Sequence, residues 1–388
     1  MTTVRNRVRR SGSDDRGSML LALSGVLVVT GIMMAFLVTV LIAQNSTRYD
    51  YRYTKSIQGA DAGVQQAYYQ INTLPAGSTS TYLTSGGTVT LDGVDYSWTA
   101  TRPAPESLTW TVESTGASVV GTQTTTRKVT ATVAQSALFN MAAFADSTLN
   151  FNGNNLATSY PAAGQGQIGT NGSMTLLGNS TSVDAVVLYD YDANPDPTRC
   201  TGAACSAPTT QNGSKLDITA AAGTDGFIQA QLDVCKAVAP LTAFVGTTIA
   251  ARPEPYCFTS FFADTQNFTV TGPGTARIFV EGGDVVLGNK NHSDVNNDVP
   301  GSPTSIKLQI YTTGNTVSVY NQGEIAAAVY GPNAACGGVS SNAGTTFYGS
   351  MICKTIDNVG GWTFKYDTRL SSIGDGIWRV KDYSEPGT

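Results

Sequence analysis

The stretch that decides the fold is Met19–Ala43, MLLALSGVLVVTGIMMAFLVTVLIA, which carries no charged residue. At 1.5 Å per residue it makes a helix of about 37 Å, longer than a hydrocarbon core of roughly 30 Å. A cleaved secretory signal has an apolar region of only about 7–15 residues, and no small-residue cleavage site follows here. The stretch therefore reads as a retained single-pass anchor. Arg5, Arg7, Arg9, Arg10 and Arg16 precede it, against Arg48, Arg52 and Lys55 after it. The positive-inside rule keeps the N-terminus cytoplasmic and the bulk of the chain outside. Within the anchor Gly31, Ala35 and Thr39 recur every four residues, a small-residue face that lets a neighbouring helix approach closely.

Outward from the anchor, Ile57, Ala60, Val64, Ala67, Ile71 and Leu74 repeat at spacings of three and four, an apolar stripe that ends at Pro75 and Gly77. One long helix is expected over 17–75, its outer half packed on a sheet. Alternating stretches follow between 76 and 136, among them Tyr96-Ser97-Trp98-Thr99 and Leu108 to Val112, separated by Gly86-Gly87, Asp92-Gly93 and Pro103 to Pro105. These predict an antiparallel sheet covered by the helix, an α+β head in which Trp98 and Trp110 are core anchors.

From 137 to 388 a short strand ending in Gly-Asn recurs, at Thr148 to Asn154, Met174 to Asn179 and Asp284 to Asn289. Further strands, including Ile306 to Tyr311, Ile325 to Tyr330 and Thr346 to Ile352, follow at intervals that suit coils of roughly 20 residues. A right-handed parallel β-helix-like domain is expected, with an antiparallel β-sandwich as the alternative. Only Phe227 to Val238 shows a helical pattern. The fold class is thus mainly β, behind a basic leader at 1–16.

All six cysteines, Cys200, Cys205, Cys235, Cys257, Cys336 and Cys353, lie beyond the anchor, which fits an oxidising compartment. Six cysteines allow 15 pairings, of which the shortest loops join Cys200 to Cys205, Cys235 to Cys257 and Cys336 to Cys353. There is no CxxC, and His292 is the sole histidine, so zinc lacks its usual ligand spacing. A net charge of -5 offers no basic field for phosphates, which argues against nucleic acid as a partner.

Arg16-Gly17-Ser18, the apolar run, the polar segment Gln44 to Lys55 and the box Ala60-Asp61-Ala62-Gly63 resemble the N-terminal region of PilX-like pilus-assembly proteins, the minor pilins of type IV pili. The resemblance implies prepilin processing between Gly17 and Ser18, partnership with other pilins, and residence in a bacterial cell membrane and then a pilus. Asp61 replaces the usual Glu of the box. Ala22 stands where processed prepilins carry Glu, five residues after the glycine. Ala328 to Ala334, Phe347 to Met351 and Lys365 to Leu370 resemble an uncharacterised β-helical C-terminal domain of pilin-like surface proteins.

Enzymatic readings fare poorly. Asp190, Asp192, Asn194 and Asp196 are spaced as in half of a Ca²⁺ loop, but Pro195 replaces the turn glycine and Thr201 the closing Glu. Asp294, Asn296, Asn297 and Asp298 read as a solvated loop, and Gly272-Pro273-Gly274 and Gly337-Gly338 as turns. No catalytic residue, metal site or cofactor is expected. The sequence points to a structural, non-enzymatic pilin-like component assembled through its N-terminal helix. The alternative is a permanently anchored surface adhesin that contacts glycans or proteins.

Overall fold

The computed structural model describes residues 15–74, 78–105, 107–120, 122–135, 137–152, 156–160, 166–177, 182–190, 199–202, 205, 209–218, 226–263, 267–288, 294–296, 305–320, 323–338, 345–359, 362–374 and 378–385. The molecule is mainly β with one long N-terminal helix. Helix α1 runs without a break over Asp15–Asn72, stopping just short of the Pro75 that the sequence marks as its end.

Its second half lies on an antiparallel sheet. Strands β1 (Tyr82–Thr84), β2 (Val89–Leu91), β3 (Val94–Thr101), β4 (Thr109–Val120) and β5 (Gln123–Ala134) form this sheet, with β3, β4 and β5 adjacent in sequence and in space. Alternation puts Tyr96, Trp98, Trp110, Val112, Val129, Ala131 and Val133 on the helix side, where they meet Ala60, Val64, Ala67 and Ile71 in one buried cluster. Trp98 and Trp110 are fully enclosed, and the Trp98 indole donates to Gln66 Oε1 at 2.9 Å.

The next strands are β6 (Ala143–Asn152), β7 (Leu156–Tyr160), β8 (Gln167–Thr170), β9 (Ser173–Leu177), β10 (Ser182–Val183), β11 (Ala185–Leu188), β12 (Cys200–Thr201) and β13 (Thr209–Gln211). Helix α2 (Phe227–Val238) follows where the sequence pattern places it. A second run comprises β14 (Thr242–Val245), β15 (Thr248–Ala250), β16 (Tyr256–Ala263), β17 (Thr269–Thr271), β18 (Ala276–Val280), β19 (Val285–Leu287), β20 (Leu308–Thr312), β21 (Thr316–Val319), β22 (Glu324–Gly338), β23 (Thr346–Val359) and β24 (Thr363–Asp367). Among the described residues, the named strands of this region pair in parallel, so the arrangement is β-helix-like and not an antiparallel sandwich.

The coils do not stack in chain order. The first run begins in the middle of the stack, with β6 beside β23, and proceeds through β8 and β11 to β13 at one end. The chain then crosses to the other end at β14 and returns through β16, β18, β20 and β22 to β23, which closes the seam against β6. Interior residues line up across both runs. Val285, Val317, Cys336, Ile356, Leu149 and Met174 are register partners in turn, each at most 2% exposed. This ladder is why neither run can bury its face alone.

Two readings of the sequence are corrected. Residues 137–388 were expected to lie wholly in the parallel unit, but the final strand β25 (Arg379–Ser384) pairs antiparallel with β5 and so belongs to the first sheet. Its outward-facing polar residues gave no apolar alternation to read. Gly337 and Gly338 are not a turn. They end β22, where a Cβ on Gly337 would stand 2.5 Å from the Asp357 carbonyl oxygen of the next coil.

Because Trp378 packs edge-on against Trp110 at 6.5 Å and its carbonyl accepts from the Tyr68 hydroxyl at 3.0 Å, the returning segment is part of the head. Truncation after Gly374 should lower the melting midpoint reported by the buried tryptophans by roughly 5 °C or more, since about 1 kcal/mol moves a small domain by 4–8 °C. An unchanged midpoint would mean that β25 adds nothing to the head.

Candidate functional site

Among the described residues, 20–43 of α1 pack against no other element. Phe36 is 72% exposed and Leu20, Leu27, Ile32 and Met33 are comparably bare, so the helix presents apolar side chains on every side. α1 is long and apolar enough to cross a membrane. Its few hydroxyls are satisfied internally. Ser24 donates to Leu21 O at 2.9 Å, Thr30 to Val26 O at 2.7 Å and Thr39 to Ala35 O at 2.9 Å. A helix that must sit in lipid or among other apolar helices needs this, because no water is there to serve a stray donor. Gly31, Ala35 and Thr39 stand on this exposed segment, and a Cβ on Gly25 or Gly31 would meet nothing within 4 Å. Gly17 and Ser18 lie in the first turns of α1; the leader residues 1–14 are outside the described residues.

Between the bare half and the packed half lies a collar of tyrosines and basic residues. Tyr53 donates to Glu385 Oε2 at 3.0 Å, the Arg127 guanidinium stacks over the Tyr53 ring at 4.4 Å, and Arg127 pairs with Glu385 at 3.6 Å. The hydrogen bond to Glu385 raises the Tyr53 hydroxyl pKa above its ordinary value. Tyr49 and Tyr51 remain exposed, as amphipathic rings do at a membrane–water boundary.

The box Ala60-Asp61-Ala62-Gly63 is where α1 touches the sheet most closely. Ala60 and Gly63 are buried, Ala62 packs on the edge of the cluster, and Asp61 is half-buried beside them. A Cβ on Gly63 would fall 2.1 Å from Ser114 Oγ, and one on Gly59 would fall 2.4 Å from Val94 Cγ1. Opposite them is Gly116 of β4, whose Cβ would stand 2.1 Å from Ser56 O and 2.4 Å from Ala60 N. The box therefore carries backbone-to-backbone seating. The sequence reading missed Gly59, Ser114 and Gly116; a glycine inside a strand pattern was the available signal. Among the described residues Asp61 Oδ1 is buried with no hydrogen-bond partner, and burial pushes its carboxyl above the ordinary aspartate range.

The C-terminal boxes also serve packing. The Tyr330 hydroxyl donates to Ile218 O at 2.6 Å, and the Tyr366 hydroxyl to Phe139 O at 2.7 Å. Buried Asp367 caps the short 3-10 turn Thr368–Ser372 through Arg369 N at 3.1 Å and holds the Arg369 side chain at 2.7 Å. Phe347 packs in the core against Phe364, the rings tilted at 44° with centroids 5.5 Å apart.

Disulfides join Cys200 to Cys205, Cys235 to Cys257 and Cys336 to Cys353. The second ties α2 to β16 and the third links neighbouring coils. Of the two candidate acidic clusters, Asp190, Asp294 and Asn296 are described; Asp294 Oδ1 accepts from Glu324 N at 2.8 Å, and Asn296 is fully buried with its Nδ2 donating to Ala326 O at 3.2 Å, which corrects the solvated-loop reading at that position. Asp192, Asn194, Asp196, Asn297, Asp298 and His292 lie outside the described residues. Among the described residues no group of His, Cys, Asp and Glu could hold a metal ion.

A domain of unknown function, DUF7305, matches residues 260–373, less than half of the chain. No curated protein matches the sequence. Among solved structures, the crystal structure of competence-associated pilin ComZ from Thermus thermophilus aligns with 11% identity over 86% of this chain and 97% of that chain, with a TM-score of 0.26. A superposition at that score carries no argument about fold or function.

Gly116→Val should cost about 1–3 kcal/mol by chemical denaturation, because the new side chain meets helix backbone that cannot yield. Gly25→Val, with open space around it, should leave the midpoint unchanged. Asp61 gives a pH test. Its raised folded pKa penalises the ionised fold, so the stability it costs at neutral pH is recovered as pH falls through that raised value and is fully recovered below the ordinary 3.8. Asp61→Asn should thus be at least as stable as the parent at pH 7 and lose that advantage near pH 3.5. A variant less stable at pH 7 would show that the carboxylate has a favourable partner.

Proposed function

We propose that this protein is a structural, non-enzymatic pilin-like subunit, held in a bacterial cell membrane with its N-terminus cytoplasmic and then assembled with other pilins through α1. The observation that carries this reading is the division of α1: residues 20–43 are bare and self-satisfied in hydrogen bonding, while 56–71 are clamped to the sheet. Such a helix can exchange lipid for like helices without disturbing the folded head, since both surroundings offer apolar contact. Gly31, Ala35 and Thr39 are then the packing face, Gly17 and Ser18 the processing position, and residues 1–17 are lost. The β-helix-like unit is displayed outward.

The anchored-adhesin reading has one observation in its favour. Ala22 leaves the N-terminal region without the carboxylate that a filament would pair with a neighbouring N-terminal amine. Mass spectrometry of the mature N-terminus separates the two: a chain beginning at Ser18 supports assembly, and one retaining 1–17 supports the permanent anchor.

Gly31→Leu should leave the protomer's melting unchanged, because nothing lies within 4 Å of the new Cβ, yet should cut the fraction recovered with sheared filaments several-fold. Equal recovery of parent and variant would remove this face from the assembly contact.

A further inference from the structure

Just beyond its apolar segment, α1 carries Arg48, Arg52 and Lys55 at spacings of four and three, which puts the three cations on one face of the helix. Asp50, about 200° round the helix from Arg48, stands on the far side. In a chain with a net charge of -5 this stripe is a local reversal of sign.

Its charges are not neutralised within the protomer. Arg48 is exposed, and its side chain has no partner among the described residues. Arg52 Nη1 donates to Gln123 Oε1 and its Nε to Arg48 O at 3.3 Å, both neutral acceptors. Lys55 has, among the described residues, only the Tyr51 ring, whose centroid is 6.0 Å from its Nζ. The cations of β5 differ: Arg127 is paired with Glu385 at 3.6 Å and Lys128 with Glu113 at 2.9 Å.

Direction decides where the unpaired charges lie. Helix side chains lean toward the N-terminus of their own helix, and the N-terminal half of α1 is the apolar half. Two contacts display the lean, since Arg52 reaches back one turn to Arg48 O and Lys55 one turn to Tyr51. The Arg52 guanidinium therefore stands level with Arg48, about 7.5 Å beyond Ala43 at 1.5 Å per residue. A headgroup layer is roughly 5–7 Å deep on each side of the hydrocarbon. The Lys55 ammonium, level with Tyr51, is within the screening length of that layer, about 10 Å at 0.1 M salt. Tyr49 and Tyr51, each about half exposed, flank the stripe at the depth amphipathic rings favour.

We infer that this face of α1 binds the phosphates of anionic phospholipids in the leaflet on the folded side of the membrane, Arg48 and Arg52 at phosphate level with Lys55 behind them. A guanidinium matches a phosphate in shape and charge. Each juxtamembrane cation strengthens attachment to an anionic surface by about fivefold. The inference rests on the membrane-held reading above and is independent of filament assembly.

The test is vesicle flotation of the full chain diluted from detergent, using vesicles of phosphatidylcholine alone and vesicles containing one third phosphatidylglycerol. The parent should partition more strongly into the anionic vesicles. The combined variant Arg48→Gln, Arg52→Gln, Lys55→Gln should lose at least tenfold of that preference, with its partition into phosphatidylcholine and its melting midpoint unchanged. Raising salt from roughly 0.05 M to 0.5 M should remove most of the difference between parent and variant. The charge-matched control Lys215→Gln, Lys236→Gln, Arg252→Gln, on the parallel unit, should keep the parent's preference, which separates position from net charge. Leader arginines are common to all these chains and cancel in the comparison. Should the combined variant misfold, Arg48→Gln at its exposed position takes its place, with a loss of about threefold. A preference that the variants retain, or an equal loss in the control, would overturn the assignment and leave the anchor standing. No partition into either vesicle would overturn the membrane reading itself, and the assignment with it.

Discussion

Everything about this molecule depends on how closely α1 can lie on β4. Side-chain-mediated helix-on-sheet packing keeps backbones well apart, but here Gly59, Ala60 and Gly63 meet Gly116 and Ser114 with no room for a further carbon. Close seating fixes the helix along its length as well as in its rotation. Rotation decides that Val64, Ala67 and Ile71 face the tryptophans, and it fixes the direction in which the bare half projects. A looser contact would leave 20–43 as an apolar rod on a hinge. The tight one makes it a rigid extension of the head.

The collar at 49–53 continues that logic. It sits where apolar exposure gives way to sheet contact, and it uses the C-terminus of the described chain, Glu385, to hold Tyr53 and Arg127. Exposed ion pairs contribute little on their own. This one is joined to a cation–π stack and a tyrosine hydrogen bond, so the three groups order one another.

Legibility followed the range of the physics involved. The apolar first half of α1, the stripe from Ile57 to Leu74, the tryptophan strands and α2 are set by local periodicity and could be read directly. Gly116 could not, because its meaning depends on which helix residue lies above it. The stack order of the coils was hidden for a related reason: period and turn signals mark each strand but say nothing about which coil lies next to β6. β25 escaped notice because an edge strand with one half-buried residue carries almost no pattern. The boxes near Tyr330 and Tyr366 stood out as motifs, yet the structure uses their hydroxyls to hold the crossing segments at Ile218 and Phe139. Prominence in a sequence marked a packing demand there, not a chemical one.

The seam between β6 and β23 gives the outer unit its mechanical character. Since the chain leaves the head at β5 and rejoins it at β25, the β-helix-like unit is an insertion whose two covalent links lie side by side, bridged by Ala137 and Gly374. An end-to-end solenoid grafted on one link would swing, and pulling on it would peel coils from the attached end. Here both links reach the middle of the stack, so load from either side enters at the seam and spreads to both ends at once. The register ladder through Cys336, Ile356 and Leu149 is continuous across that seam, which makes the junction of the two runs as well packed as any other coil boundary. Where the two links enter the unit, the antiparallel bridge of Ala137 with Gly374 and the hydrogen bond from Leu138 N to Ile373 O at 2.9 Å hold them against each other, so the coils nearest the head are tied at two points and not one.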